Sequence, residues 1–488
     1  MSRQKIGRGA LVLAISQGVF IITAYLIQFI LGRILGPQDY GTYGVVLSTM
    51  NVGLIAVSSG IPLTISKYVA QNGMNSRFLK DAYRIGFILA LLIYATYFII
   101  SYPLAIVYND SSITVFIQVC GFVLLTYSLF AIVTNQLNGL QQFDRQSWVQ
   151  MSYHVIRFMM IVGFVLGGFS IIGALLGNAI SPIFGFIIGI IIVRSIKPNQ
   201  EKEDDVSSHE FNIMDEFLKY SVPIIAFSIA FNLMSNLDLW AVKALITASA
   251  EAAGYYNAAY QLGRVPLYAG QALAAAVFPA IARAQSKGNI EELSSNFGLG
   301  IKYMTVIGVI VSLGIIALSG EFIEFVFGVD YAPAQIPLMI LSIALVCQSV
   351  MGISLYALNA SNYPKIATYL CGFLIVVDLA LLLILVPLYG LVGAALSTVG
   401  ISILGLFLSV ILSIRKMSIK VPREIGVMFI LFTGFIILVT ALIPLLPVGA
   451  IELVLIKIGC IGFFVLVLFA SKAVSIKEIW LLFKGNSQ

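Results

Sequence analysis

The chain is 488 residues long, 60% apolar and 10% charged, with a formal net charge of +6 and a mean hydropathy of +1.00. Soluble domains are about 45–50% apolar and about 25% charged, so this composition excludes a soluble fold and describes a helical membrane protein. Two histidines, four cysteines inside apolar runs (Cys120, Cys347, Cys371, Cys460) and the lack of HExxH, CxxC or P-loop spacing argue against a metalloenzyme, a disulfide framework and a nucleotide motor. No metal site, no resident cofactor and no nucleic-acid partner are expected.

A spanning helix needs about 20 predominantly apolar residues. In chain order such stretches fall at about 9–32, 40–66, 83–107, 113–137, 147–167, 171–196, 217–245, 251–282, 297–318, 335–357, 366–387, 390–414, 424–444 and 450–471, which predicts fourteen transmembrane helices. The first follows Arg3, Lys5 and Arg8 and is too long for a signal peptide, so it reads as a retained helix. Between the first two lies LGPQDYGTYGVV (35–46), rich in glycine but without a P-loop lysine. Gly36 can end one helix, Pro37 can open the next, and Asp39 suits that helix's positive end. Gly41 and Gly44 would let the second helix approach a neighbour closely. A polar linker, KPNQEKEDDVSSHEFNIMDE, occupies 197–216.

Lysine and arginine alternate across these spans as cytoplasmic loops require. With the N-terminus inside, the inner segments carry 23 basic residues and the outer ones only Arg33 and Lys243. Both termini are therefore expected on the cytoplasmic face of the plasma membrane.

The chain also repeats itself. QDYGTYG (38–44) returns as EAAGYYN (251–257), LNGLQQFDR (137–145) as LNASNYPK (358–365), and FSIIGALLG (169–177) as YGLVGAALS (389–397), the last at an offset of 220 residues. Three landmarks in one order predict two parallel six-helix lobes. The expected organisation is an N-terminal lobe (1–196), a cytoplasmic linker (197–216), a C-terminal lobe (217–414) and two added helices with a tail (415–488). Two lobes about a membrane-normal axis imply a transporter working by alternating access.

The segment LGRILGPQDYGTYGVV, with SSGIPLTISKYVA, FVFGVDYAPA (325–334) and YGLVGAALS, resembles the polysaccharide and O-antigen flippase family over helices 1–12. That family shares a superfamily with the lipid II flippases and the multidrug and toxin extrusion transporters. The resemblance implies a lipid-linked oligosaccharide on a polyprenyl phosphate or pyrophosphate, flipped outward for cell-surface glycan assembly, with glycosyltransferases or a glycan polymerase as neighbours. A drug/cation antiporter of the same superfamily is the alternative within transporters. A membrane-embedded glycan polymerase is the alternative outside them; no outer loop long enough for its chemistry is predicted.

Charges near the bilayer centre normally face a cavity or a partner. Arg157, Asp238, Arg264, Asp378 and Lys457 are so placed. Tyr256, Tyr260, Arg264 and Tyr268 recur every four residues, with Gln261 beside them and Pro266 loosening the helix. Guanidinium binds phosphate through parallel donors and aromatic rings pack on sugars, so Arg264, Arg157, Tyr260 and Gln261 are expected to bind the cargo, with Asn51 and Gln28 lining the cavity. Asp238, Asp378 and Thr398 lie at similar depth and match the sodium ligands implied by the lipid II flippases, although Leu374 stands where a further ligand is expected. Na+, H+ or a plain ion pair of an acid with Lys243 all fit that pattern.

Overall fold

The computed structural model describes residues 3–196, 222–419, 434–435, 452 and 455–463, apart from residues 60, 74–75, 247–248 and 362. The linker 197–216 and most of the last two expected spans lie outside the described residues. In hydrocarbon no water can satisfy a backbone N–H or C=O, so the chain bonds within each segment as helix. The described residues form fourteen α-helices: α1 (Arg3–Ser59), α2 (Ile61–Asn72), α3 (Ser76–Val107), α4 (Ser112–Gly139), α5 (Phe143–Phe164), α6 (Ser170–Arg194), α7 (Val222–Met234), α8 (Leu237–Leu245), α9 (Ser249–Gly263), α10 (Val265–Ser286), α11 (Ile290–Ala317), α12 (Ser319–Phe327), α13 (Gln335–Ala360) and α14 (Pro364–Met417).

These helices are not one per span. α1 has 57 residues, which at about 1.5 Å each would be nearly three bilayer cores long if straight. It bends at Gly36, whose φ of 69° ends the first leg, and Pro37 opens the second. α14, with 54 residues, bends at Gly390. α5 and α6 are joined by a π-helical turn, Val165–Phe169. The expected span 217–245 is a bent pair, α7 and α8, meeting at 44°.

The kinks carry the duplication in their geometry. Ser170, which starts α6, has φ 45° and ψ −136°. Gly390, its counterpart at the 220-residue offset, has φ 56° and ψ −131°. The left-handed region costs a serine about 1–2 kcal/mol, and here the Ser170 hydroxyl donates to the Asp39 carboxylate at 3.0 Å. Gly173 and Gly393 then follow at matched positions, where a side chain would meet Phe169 and Phe164 at the first and the Leu385 backbone at the second.

By packing, the chain divides into residues 1–254 and 255–488, so α7 and α8 belong with the first unit. In that unit α4 is central, surrounded by α1, α2, α3 and α6. In the second unit α13 is central, against α10, α11 and α14. Both central helices end in the repeated Leu-Asn motif, at Leu137–Asn138 and Leu358–Asn359. The duplicated landmarks thus occupy matched places in the two units, although the units divide at 254 rather than at the linker.

Within the first unit, the second leg of α1 crosses the start of α9 with no side chain between them. A Cβ on Gly41 would run into the Ala250 carbonyl oxygen, and one on Gly254 into that of Pro37. Pro37 precedes Gly41 by the same interval as Ala250 precedes Gly254, so the contact is reciprocal, as a local two-fold makes it. Gly41 and Gly254, the glycines of the motif and of its echo, are therefore in contact, and Tyr43 and Tyr256 are each fully buried.

At the same end of the unit, the turn after α3 clamps α8. Lys243 Nζ lies 2.9 Å from Asp110 Oδ2, and the lysine side chain is only 2% exposed. Burial works to raise the Asp110 carboxyl pKa, but hydrogen bonds from Ser112 and Lys243 and the Lys243 charge outweigh it and hold it below the ordinary range.

Gly41→Ala and Gly254→Ala should each destabilise the protein by about 1–3 kcal/mol, because the opposing atoms are backbone and cannot yield. Gly314→Ala, in α11 with open space around it, should cause no loss, and thermal melting in detergent compares the three. A folded-state pKa below the unfolded one stabilises above the ordinary carboxylate range and is lost as pH falls through the lowered value. Melting of wild type minus Asp110→Asn should therefore be positive at neutral pH and shrink in acid. Asp110→Asn combined with Lys243→Met should recover part of the loss, since it removes the stranded charge.

Candidate functional site

In the first unit, the polar groups gather between α1, α4, α5 and α6. Arg157 on α5 donates from Nε to Asn178 Oδ1 on α6 at 2.8 Å. Asn178 is 3% exposed, so the guanidinium is anchored by a buried amide. Tyr43, Cys120, Tyr127, Tyr153 and His154 lie around it. The Tyr43 hydroxyl is buried without a hydrogen-bond partner among the described residues. One turn along α5, His154 packs between Phe20 and Tyr153, with ring centroids 5.0 and 4.9 Å away. Gln150 accepts from Ser16 at 3.4 Å. The polar stripe of α5 thus faces α1 and α6, with Arg157 half-buried in an aromatic surround.

Asp238 lies in the first turn of α8, just past the break at Asn236, and is 2% exposed. Its Oδ1 accepts the Leu239 N–H at 2.8 Å, so the positive end of α8 holds the carboxylate. Asn236 closes the break by donating to the Asn232 carbonyl at 2.7 Å. Lys243 is committed to Asp110. Trp240 ties the same short helix to α1, donating to Ser48 at 2.8 Å. The sequence placed Asp238 inside a continuous span; the Ser235–Asn236 turn was its missed signal, since two polar residues in an apolar run mark where a helix can open.

The second unit places an acid one residue from the position that corresponds to the first unit's arginine. Asp378, 2% exposed on the first leg of α14, accepts from Ser397 on the second leg at 2.8 Å. Thr398, next to Ser397, is the counterpart of Asn178 at the 220-residue offset, and Arg157 lies one residue from the counterpart of Asp378. One arrangement therefore recurs, a charge on one helix held by a polar group on the next, with opposite sign. The Thr398 hydroxyl donates to the Ala394 carbonyl at 3.0 Å, so in its 3.2 Å contact with Tyr256 the tyrosine is the donor. Ser397 and this use of Tyr256 were not foreseen from the sequence. Leu374 is fully buried and packs against Gly405, so it offers no ligand atom.

The tyrosine–arginine stripe is carried on two helices rather than one, because the helix is interrupted at Arg264 and Pro266 follows. Tyr256 and Tyr260 are buried. Arg264 stacks over the Tyr260 ring at 5.0 Å, a cation–π contact. Gln261 donates to Asn257 Oδ1 at 3.3 Å, and the buried Asn257 Nδ2 has no hydrogen-bond partner among the described residues. Of the remaining expected residues, Gln28 accepts from Tyr40 at 2.9 Å across the α1 hairpin, and Asn51 is half-buried on the second leg of α1. Lys457, read as a mid-span charge, pairs with Glu321 of α12 at 3.0 Å. No cluster of histidine, cysteine and acid side chains suited to a metal occurs among the described residues.

Comparison with known proteins agrees with this architecture. The polysaccharide biosynthesis protein family matches residues 30–336. The chain is 22% identical over 418 residues to the uncharacterized membrane protein YabM of Bacillus subtilis, spanning 82% of this chain and 78% of that protein. It is 26% identical over 245 residues, 50% of each chain, to the probable low-salt glycan biosynthesis flippase Agl15 of Haloferax volcanii. Among solved structures, the lipid II flippase MurJ in an inward closed conformation aligns with a TM-score of 0.70 at 14% identity, over 96% of this chain and 99% of that one. A MATE multidrug transporter of the MOP superfamily, inward-facing, aligns at 0.63 and 15% identity, over 84% and 98%. With matched kinks and well over half of the chain within the family match, the chain belongs to the polysaccharide biosynthesis protein family, and it is a multi-pass membrane protein that shares its fold with the MurJ and MATE structures.

Proposed function

We propose that this protein flips a polyprenyl-phosphate- or pyrophosphate-linked oligosaccharide from the cytoplasmic to the outer leaflet of the plasma membrane, by alternating access, for cell-surface glycan assembly. In this reading both termini and the lysine- and arginine-rich loops face the cytoplasm. The observation that carries it is a pair of buried or half-buried charges of opposite sign, one in each unit and each held by a polar group on the next helical segment, Arg157 on Asn178 and Asp378 on Ser397. A transporter of two cationic drugs' worth of charge would have acids in both places. An anionic cargo coupled to a cation needs one of each.

The residues then divide the work. Arg157 presents a guanidinium oriented by Asn178, so its remaining donors address phosphate oxygens without loss of rotamer freedom at binding. In the second unit Arg264, with its face on Tyr260, keeps its edge donors for an anionic group. Gln261 and Asn51 supply amides to the glycan hydroxyls, while Gln28 acts through Tyr40. Asp378 with Thr398 in the second unit, and Asp238 in the first, are the groups for the coupling cation, Na+ or H+, whose binding neutralises a buried carboxylate. The glycan polymerase or the glycosyltransferases that make the cargo are the partners in this reading. Cation antiport is the second reading, favoured by two acids that are each 2% exposed.

Flipping of polyprenyl-linked glycans in proteoliposomes tests the two. Arg157→Ala and Arg264→Ala should each lower the rate by about tenfold or more, the loss of one charge-assisted hydrogen bond of about 1.5–3 kcal/mol. Asp378→Asn should abolish dependence on the ion gradient. Normal flipping in both arginine variants removes the anion-site reading, and drug efflux without glycan flipping in wild type replaces it with antiport.

A further inference from the structure

One face of α9 is fixed by a contact. A Cβ on Gly254 would meet the Pro37 carbonyl oxygen, and one on Gly41 the Ala250 carbonyl oxygen. A reciprocal contact lies on a local two-fold, so the face of α9 that carries Gly254 looks toward that axis. Two repeats related by such an axis hold their cargo between them. Asn257, Gln261 and Arg264 lie three, seven and ten residues beyond Gly254, and on a helix of about 3.6 residues per turn those intervals share one face. The Arg264 N–H still bonds the Tyr260 carbonyl at 3.1 Å, so the helical ladder reaches that far. At the same intervals from Gly41 the first copy carries Gly44, Ser48 and Asn51, so the guanidinium belongs to the second copy.

Along this face burial deepens away from the arginine. Arg264 and Gln261 are half-buried, whereas Asn257 is 2% exposed. Gln261 Nε2 donates to Asn257 Oδ1 at 3.3 Å, and Asn257 Nδ2 meets no acceptor among the described residues. Turning both amides over moves the unmet group from Nδ2 to Oδ1 without removing it. A buried polar group left unpaired costs about 1–3 kcal/mol, and leucine, of similar size, would fill the position without that cost. A ligand that pairs with the amide recovers it on binding. A sugar hydroxyl both gives and takes a hydrogen bond, so it answers either orientation. Asn257 lies about 10 Å along the helix axis from Arg264, with Gln261 between them. That is the order of a glycosyl phosphate, anion first and sugar next.

We propose that Asn257 is a specificity residue of the cargo site, pairing with the first sugar while Arg264 holds the adjoining phosphate. This rests on the flippase reading and orders the cargo along α9, with phosphate at the helix break and sugar toward the Gly254 crossing. The amide thereby separates a carrier lipid that bears a sugar from one that has delivered it, so the spent carrier competes poorly for the site.

The test measures binding to the full chain in nanodiscs. Polyprenyl diphosphates bearing a hexose, an N-acetylhexosamine or a uronic acid are compared with the same lipid bearing no sugar. Wild type should bind at least one sugar-bearing lipid more tightly than the bare one. Asn257→Leu should weaken that lipid about fivefold to tenfold, the worth of one neutral hydrogen bond. It should leave the bare lipid unchanged and melt no lower than wild type. Asn257→Ala should repeat the selective loss, and it serves if the leucine variant does not fold. Arg264→Ala should weaken sugar-bearing and bare lipids alike. The proposal is overturned by equal weakening of both lipids in the Asn257 variants, by no weakening, by a wild type indifferent to the sugar, or by failure of both variants to fold. If wild type flips glycan in proteoliposomes and Asn257→Leu does so with unchanged half-saturation, the sugar subsite alone fails. If the selective loss of binding occurs in a protein that flips nothing, the subsite stands and the flippase reading falls.

Discussion

A backbone in hydrocarbon must satisfy its own hydrogen bonds, and the rest of this structure depends on that constraint. It forces helix wherever the chain meets lipid and allows departures only where protein surrounds the freed groups. Among the described residues the spans themselves open at Ser235–Asn236 and at Arg264, while Gly36, the π turn ending at Ser170 and Gly390 turn the chain between spans. Charged and polar side chains cluster around them. Asp238 follows one break and Arg264 forms another, while the kinks at Ser170 and Gly390 fold α6 back on α5 and one leg of α14 on the other. Those foldings bring Asn178 to Arg157 and Ser397 to Asp378. The places where helix fails are the places where chemistry can be held.

Duplication followed by divergence explains the pattern of those sites. Two copies of one six-helix design keep their kinks in the same φ and ψ, even though one copy uses glycine and the other a serine braced by Asp39. Backbone geometry is set by packing of whole helices and resists change. Side chains near the matched positions are freer, and here neighbouring sites carry charges of opposite sign, Arg157 in one unit and Asp378 in the other. A buried charge needs only one good partner to be tolerated, and Asn178 or Ser397 supplies it for either sign.

Much of the fold was legible because its signals are local. Twenty apolar residues announce a span, and Gly-Pro at 36–37 announces a turn. The repeated Gly-Tyr, Leu-Asn and Gly-Ala-Leu landmarks announce two copies. The break in the seventh span was less visible, because Ser235 and Asn236 are common as interhelical glue. The tyrosine stripe misled for the same reason that exposed it: a four-residue period assumes an unbroken helix, and Pro266 interrupts this one. Tyr256 consequently serves Thr398 rather than a row with Tyr268.

The sequence by itself determined the solvent, the helical class, the duplication and the residue types available for anion and cation, because composition and period follow directly from hydrocarbon and helix geometry. Only the tertiary structure decided which polar group each charge meets. Partners such as Asn178, Ser397 and Asp110 lie many residues from Arg157, Asp378 and Lys243, and no local rule selects among the amides, hydroxyls and acids nearby. It also decided the use of the glycines in the 35–46 stretch and its echo. Gly41 and Gly254 are spaced like helix-packing residues in any membrane protein, and their reciprocal backbone contact appears only when the two helices cross.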